Sequence, residues 1–273
     1  MSIKKILVPT DFSGVAKSAL TVAASIAAKA NAELHLLNVI HVPVIDPYTP
    51  AETINTIKEE EEKSAQQELA KLALELQSKA PVITVKLGFA VDEIINYSES
   101  NNIDLIVMGT TGATGAEELL LGSNASGVVG QAKMPVLCIP DEMKEFKTND
   151  IVYASDLEKN DISVITKLLD LAKLYDSNFH ILHITDPELP TEEKNPEEVF
   201  RGIVEATGYK SMGFHNIDNT SVGDGITGFI TTGPCDILAM AVHHRSFFSQ
   251  LFHRSLTKKM VNHSHVPVLT YFK

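Results

Sequence analysis

Cysteine is scarce in this chain: only Cys138 and Cys235 occur among 273 residues. They lie far apart, each in an apolar stretch, which excludes a disulfide framework and points to reduced, buried thiols. Long apolar runs are missing as well. None approaches the roughly 20 residues that span a bilayer. Residues 1–9 hold no extended apolar region or small-residue cleavage site, so no secretory leader is expected. Basic residues are outnumbered, 23 against 35 acidic, for a formal net charge of −12. That balance argues against nucleic acid or an anionic membrane as partner. The 44% hydrophobic and 21% charged content belongs to a globular protein with a proper core. The expectation is a cytoplasmic protein that works on small molecules or other proteins.

What the chain does have is internal repetition. Ile6-Leu7-Val8-Pro9-Thr10-Asp11 finds a partner in Ile151-Val152-Tyr153-Ala154-Ser155-Asp156, and Glu33-Leu34-His35-Leu36-Leu37-Asn38-Val39 in Asn178-Phe179-His180-Ile181-Leu182-His183-Ile184, both at an offset of 145. Later, Asp104-Leu105-Ile106-Val107-Met108-Gly109 pairs with Asp236-Ile237-Leu238-Ala239-Met240-Ala241, and Pro135-Val136-Leu137 with Pro267-Val268-Leu269, at 132. One net deletion of 13 residues (145 less 132) between Ile184 and Asp236 explains both offsets. The chain reads as a duplication, with domains at 1–145 and 146–273.

Within the first half, short apolar runs alternate with longer helical patterns, the signature of a parallel sheet with crossover helices. Strands are expected at 6–8, 34–40, 82–86, 105–108 and 135–139. Helices are expected at 17–30, 51–78 and 91–101, with another after the glycine loop. The acidic run 59–62 reads as the solvated face of the long helix.

The fourth strand leads into Gly109-Thr110-Thr111-Gly112-Ala113-Thr114-Gly115 and then Gly122-Ser123-Asn124-Ala125-Ser126, a G-x2-G-x9-G-S pattern. Open α/β sheets bind ligands at such strand ends. Glycine there lets a phosphate reach main-chain N–H groups without a Cβ in the way. Gly122-Ser123 opens a helix, whose free N–H groups suit an anion, with the Ser123 and Ser126 hydroxyls as added donors. No lysine lies between Gly109 and Gly130, so this is not a P-loop. Such a site favours holding a nucleotide over rapid phosphoryl transfer.

Together with Val8-Pro9-Thr10-Asp11-Phe12-Ser13, the glycine pattern resembles the universal stress protein family, over the whole first half including the closing strand Pro135-Val136-Leu137-Cys138-Ile139-Pro140. The resemblance implies two tandem, doubly wound, five-stranded parallel-sheet domains, Rossmann-like and akin to the adenine nucleotide α-hydrolases. It implies that they form an internal pseudo-dimer through the closing strands, with further homodimerisation left open. In that family the glycine pattern marks the members that bind ATP, here with Mg²⁺ carried on the phosphates. By resemblance Asp11 would bond the ribose, Pro9 and Thr10 would line the pocket floor, and the Val39 main chain would hold adenine. Gly109, Gly112, Gly122 and Ser123 would wrap the phosphates. Ser13, Met108, Thr110, Asn124, Ser126 and Val136 complete the candidate set. From the residues alone, Asp11, Thr10 and Ser13 serve equally well as caps of the following helix, and Val39 as core.

In the second half the motif positions become Ala241, His244, Arg254 and Ser255, so ATP is not expected there by this mode. The segment from His243 to Lys259 is basic where its counterpart is acidic, read as charge compensation or as an anion site built from side chains. Histidines 243, 244, 253, 263 and 265 match no recognised metal-ligand spacing. Phe247, Phe248, Leu251 and Phe252 read as a buried or interdomain helix face. The function expected is a nucleotide-dependent regulatory binding module of the stress response. The alternative is a slow ATPase or nucleotidyl-transferring enzyme, in which His41 is the histidine nearest the pocket mouth. In that alternative the second domain binds a different small ligand.

Overall fold

The computed structural model of the chain describes residues 3–41, 50–76, 79–110, 123–141, 143, 145–158, 161–188, 195–209, 211–242 and 266–272. Among these the chain forms two compact units, residues 3–136 and 137–272, with the division inside the fifth strand. The first unit runs β1 (Lys5–Pro9), α1 (Gly14–Ala30), β2 (Glu33–Ile40), α2 (Ala51–Glu75), β3 (Val82–Leu87), α3 (Ala90–Ser100), β4 (Leu105–Gly109) and α4 (Ser123–Gln131), with β5 (Val136–Ile139) at the division. β1 pairs in parallel with β2 and with β4, and β2 with β3, which gives the order β3-β2-β1-β4. The chain winds outward from β1 to β3, then returns to the other side of β1 for β4. The gap between the C-terminal ends of β1 and β4 is therefore the switch point at which doubly wound sheets bind ligands.

The second unit repeats the plan with β6 (Asp150–Ala154), α5 (Asp161–Tyr175), β7 (Asn178–Thr185), α6 (Pro196–Thr207), β8 (Met212–Asp218), α7 (Val222–Thr232), β9 (Ile237–Val242) and β10 (Val268–Phe272). Its order is β10-β9-β6-β7-β8, all parallel. The fold is α/β, two tandem Rossmann-like domains. No described helix is long and apolar enough to cross a membrane.

Local sequence explains the elements. α1 is rich in alanine, the best helix former, and buries Ala16, Ala19, Leu20, Ala23, Ile26 and Ala27 at three- and four-residue spacing. The Ser13 side chain accepts from the Ala16 amide at its start, and Asn31 ends it in the left-handed region at φ 51°. The strands of a parallel sheet are covered on both faces and so read as continuous apolar runs: Ile6, Leu7, Val8, Ile106 and Val107 are all fully buried.

Backbone detail repeats along with the sequence. Phe12 and Leu157 both take positive φ, 66° and 58°, as do Asn31 and Asp176 at 51° and 57°. The Thr10 amide donates to the Leu37 carbonyl and Ser155 to Leu182, each at 2.9 Å. Asp104 Oδ2 accepts the amides of Lys4 and Lys5 at 2.8 and 3.0 Å. Asp236 Oδ2 does the same for Asn149 and Asp150 at 2.6 and 3.2 Å. Such irregular φ values are uncommon for non-glycine residues, and their recurrence at the sequence offset reflects a common template. The deletion falls on one helix: α2 has 25 residues and α6 has 12. α2 ends at Glu75, short of the expected residue 78; Glu59, Glu60, Glu61 and Glu62 are all exposed, while Ala65, Leu69 and Leu72 are buried.

Candidate functional site

A cleft of about 150 Å³ opens at the switch point of the first unit. β1 supplies Pro9, and the turn after it Thr10 and Asp11. β2 supplies Leu37 and Val39, and β4 supplies Met108 and Gly109, followed by Thr110. The first turn of α4 contributes Ser123, Asn124 and Ala125 on one wall, and Ala90 and Ile94 of α3 stand nearby. Ala16 of α1 completes it.

The β1–α1 turn is built to present Asp11. Asn38, buried in β2, donates from Nδ2 to the Thr10 carbonyl at 2.8 Å. Thr10 Oγ1 accepts the Phe12 amide at 3.1 Å, and Asp11 Oδ1 accepts the Ser13 amide at 3.1 Å. With Phe12 in the left-handed region, the chain turns sharply and leaves Asp11 exposed on the cleft rim. The start of α4 at Ser123 lines the same cleft, and the first amides of a helix attract an anion. The cleft thus brings together a carboxylate suited to hydroxyl donors and groups suited to oxyanions. Leu37, Val39 and Met108 add an apolar lining.

Nine of the fourteen sequence candidates line this cleft: Pro9, Thr10, Asp11, Val39, Met108, Gly109, Thr110, Ser123 and Asn124. Ser13 lies off its wall, and its Oγ accepts the Ala16 amide at 3.2 Å as the cap of α1. Ser126 is exposed on α4 away from the lining, and Val136 is buried in β5. Gly112 and Gly122 fall outside the described residues, as do His244, Arg254, Ser255, the five histidines considered for metal and the 247–252 aromatic stretch. His41 is exposed and packs on Phe89 at a ring distance of 5.9 Å, off the cleft wall.

Sequence reasoning missed Ala16, Leu37, Ala90, Ile94 and Ala125, whose apolar side chains carry no signal of a site. It also missed Asn38. There a signal existed: an amide inside the apolar run of β2 has to find a buried partner, and the carbonyl it finds orients the turn. Gly109 has a further reason to be glycine. A Cβ there would stand 2.6 Å from Val15 Cγ1 on α1, so the residue permits close packing of helix on strand as well as open backbone beside the cleft.

Fold and cleft together define a doubly wound α/β protein with a ligand site at the C-terminal ends of its strands. Residues 2–140 match the model of the universal stress protein family, and the chain belongs to that family. It is 38% identical over 148 residues to universal stress protein MJ0531 of Methanocaldococcus jannaschii, an alignment covering 52% of this chain and 85% of that protein. It is 30% identical over 145 residues to universal stress protein YxiE of Bacillus subtilis, covering 50% of this chain and 97% of that one. A crystal structure of a universal stress protein from Archaeoglobus fulgidus matches the fold over 100% of this chain and 99% of its own, with a TM-score of 0.74 and 21% identity.

Proposed function

We propose that the first unit binds ATP, with Mg²⁺ carried on the phosphates, and that the protein acts as a nucleotide-dependent binding module of the cytoplasmic stress response. The observation that carries this reading is the pairing, across one cleft, of the Asp11 carboxylate with Gly109, Thr110 and the start of α4 at Ser123 and Asn124. A carboxylate accepts from the two hydroxyls of a ribose. Helix-terminal amides and hydroxyls receive phosphate oxygens. The apolar lining accommodates a base. Residues 111–122, which hold Gly112 and Gly122, belong to the same proposal through the sequence pattern.

Nucleotide released on denaturing protein purified without added ligand, identified by mass spectrometry, tests the reading. ATP or ADP near one per chain is expected for the wild type. Asp11→Ala is expected to weaken ATP binding by at least about tenfold in a calorimetric titration, the cost of losing a charged hydrogen-bond acceptor. No nucleotide in the purified protein, and no binding when ATP and Mg²⁺ are added back, would refute it.

A further inference from the structure

Asn38 is out of character for its place. It interrupts the apolar run Leu36-Leu37-Asn38-Val39-Ile40 of β2, and asparagine is a poor strand former. Leu36 and Leu37 beside it are fully buried, and Asn38 itself is only 7% exposed. A buried amide needs a partner, and Nδ2 donates to the Thr10 carbonyl at 2.8 Å. Asn38 does not line the cleft. It acts on a ligand there only through the turn that follows β1.

That carbonyl sits where the β1–β2 ladder stops. The registered pairs end at Pro9 with Leu37, and the Thr10 amide makes one bond more, to the Leu37 carbonyl at 2.9 Å. A continuing parallel ladder would next join the Val39 amide to the Thr10 carbonyl. The Asn38 side chain takes that carbonyl instead, and the chain leaves the sheet. Phe12 turns into the left-handed region at φ 66°, Thr10 Oγ1 accepts the Phe12 amide, and Asp11 Oδ1 accepts the Ser13 amide. The second unit meets the same need with another residue. At the repeat offset His183 replaces Asn38, and its Nδ1 stands 2.9 Å from the Ser155 carbonyl. The Ser155 amide bonds to Leu182 as Thr10 does to Leu37, and Leu157 repeats the left-handed turn at φ 58°. His183 also lines the second unit's own cleft, at the C-terminal ends of β6, β7 and β9, where Asn38 does not line the first. Two different side chains thus hold one carbonyl of the template, so the turn requires the contact and not the asparagine as such.

We propose that Asn38 is a positioning residue of the nucleotide site: by holding the Thr10 carbonyl it ends the β1–β2 ladder and sets the Asp11 carboxylate where a ribose meets it. This assignment rests on the nucleotide reading of the first cleft. A carboxylate fixed before the ligand arrives loses less freedom on binding, and that saving adds to the affinity. In Asn38→Leu, similar in size but without a donor, the carbonyl loses its partner and Asp11 its fixed geometry. Gly109, Thr110 and Ser123 belong to β4, the residue after it and α4, so the phosphate side of the site keeps its own supports.

The test is titration calorimetry of the full chain with ATP and with dideoxy-ATP, both with Mg²⁺. The analogue keeps the base and the phosphates and lacks both ribose hydroxyls that Asp11 receives. Asn38→Leu should weaken ATP about tenfold and leave the analogue within about twofold of its wild-type affinity. In an Asp11→Ala background the same substitution should cost ATP little, because no carboxylate is left to place. Hydrogen exchange at the Phe12 and Ser13 amides should quicken in Asn38→Leu, while the last turn of α1 keeps its rates. Asn38→Ser, too short to reach the carbonyl, gives the same readouts if leucine disturbs β2. Unchanged ATP affinity in folded Asn38→Leu overturns the proposal, and so does an equal loss for ATP and the analogue, or an equal loss for ATP in both Asp11 backgrounds. A wild type that binds neither nucleotide is a separate outcome, which refutes the nucleotide reading and this assignment with it.

Discussion

Gly109 stands where a helix and a ligand cleft compete for the same atom's space. Its absent Cβ would meet Val15 Cγ1 at 2.6 Å and the Val15 backbone carbon at 3.3 Å. Gly109→Ala should therefore cost about 1–3 kcal/mol, the range for overpacking a close contact, measured by urea denaturation. Gly109→Ala with Val15→Ala should recover part of that loss, and the coupling energy of the double-mutant cycle would locate the clash. Two histidines give a second residue-level expectation. His215 is held below its ordinary value of 6.5 by burial and then by His180, and His35 by burial, which outweighs the opposing Glu33. A lowered folded value means that the unfolded chain takes up protons first as pH falls. Both states are neutral above about pH 6.5, so the groups cost nothing there, and stability is lost progressively below it. The thermal midpoint should drop between neutral pH and about pH 5.5, and His215→Gln should shrink that drop. Burial pushes both the Cys138 and Cys235 thiols up to about 12, with Asp236 and Asp150 adding to the shift at Cys235. Alkylation at mildly alkaline pH should label them only once the protein is unfolded.

At the scale of the element, the same side chain can serve a helix or a ligand, and the turn between β1 and α1 separates the two. Ser13 caps α1 by accepting the Ala16 amide, while Asp11, two residues earlier, stands on the cleft rim. Ser13→Ala should lower stability by about 1 kcal/mol, as loss of a helix N-cap does, and leave ATP affinity unchanged. A parallel loss of affinity would return Ser13 to the ligand site. Much of the element plan was legible in the sequence, because the strands of a buried parallel sheet are unbroken apolar runs and α1 is an alanine-rich amphipathic pattern. The glycines and hydroxyls on the cleft wall were legible for the same reason: their residue types are unusual beside a strand end. Ala16, Ala90 and Ile94 were not, since an alanine or isoleucine on a buried helix face looks the same whether its neighbour is protein or ligand. Asp161 was missed differently. Its one signal is that it replaces Ala16 at the repeat offset, and only the buried pair Tyr153 and Ser155 shows why a carboxylate is tolerated there.

For the whole molecule, the consequence of duplication is two clefts on one template with different linings. The first offers Gly109, Thr110, Ser123 and Asn124 beside Asp11, and the second offers His183 and an apolar wall beside Asp156. A ligand that binds only the folded state stabilises by RT ln(1 + [L]/Kd), which is about 2.7 kcal/mol at a hundredfold excess over Kd. If ATP occupies only the first cleft, that increment belongs to the residues that must come apart to release it. Hydrogen exchange should then slow at the amides of β1, β2, β4 and the first turn of α4 when ATP and Mg²⁺ are added. The amides of β6, β7 and β9 should keep their rates as long as they open independently of the first unit. Equal slowing in both sets would mean that the second cleft also takes nucleotide or that the two units open together. Repeating the measurement with Asp11→Ala, at an ATP concentration below the variant's Kd, separates these outcomes, because slowing that persists in β6, β7 and β9 while it is lost from β1, β2 and β4 comes from nucleotide held by the second unit.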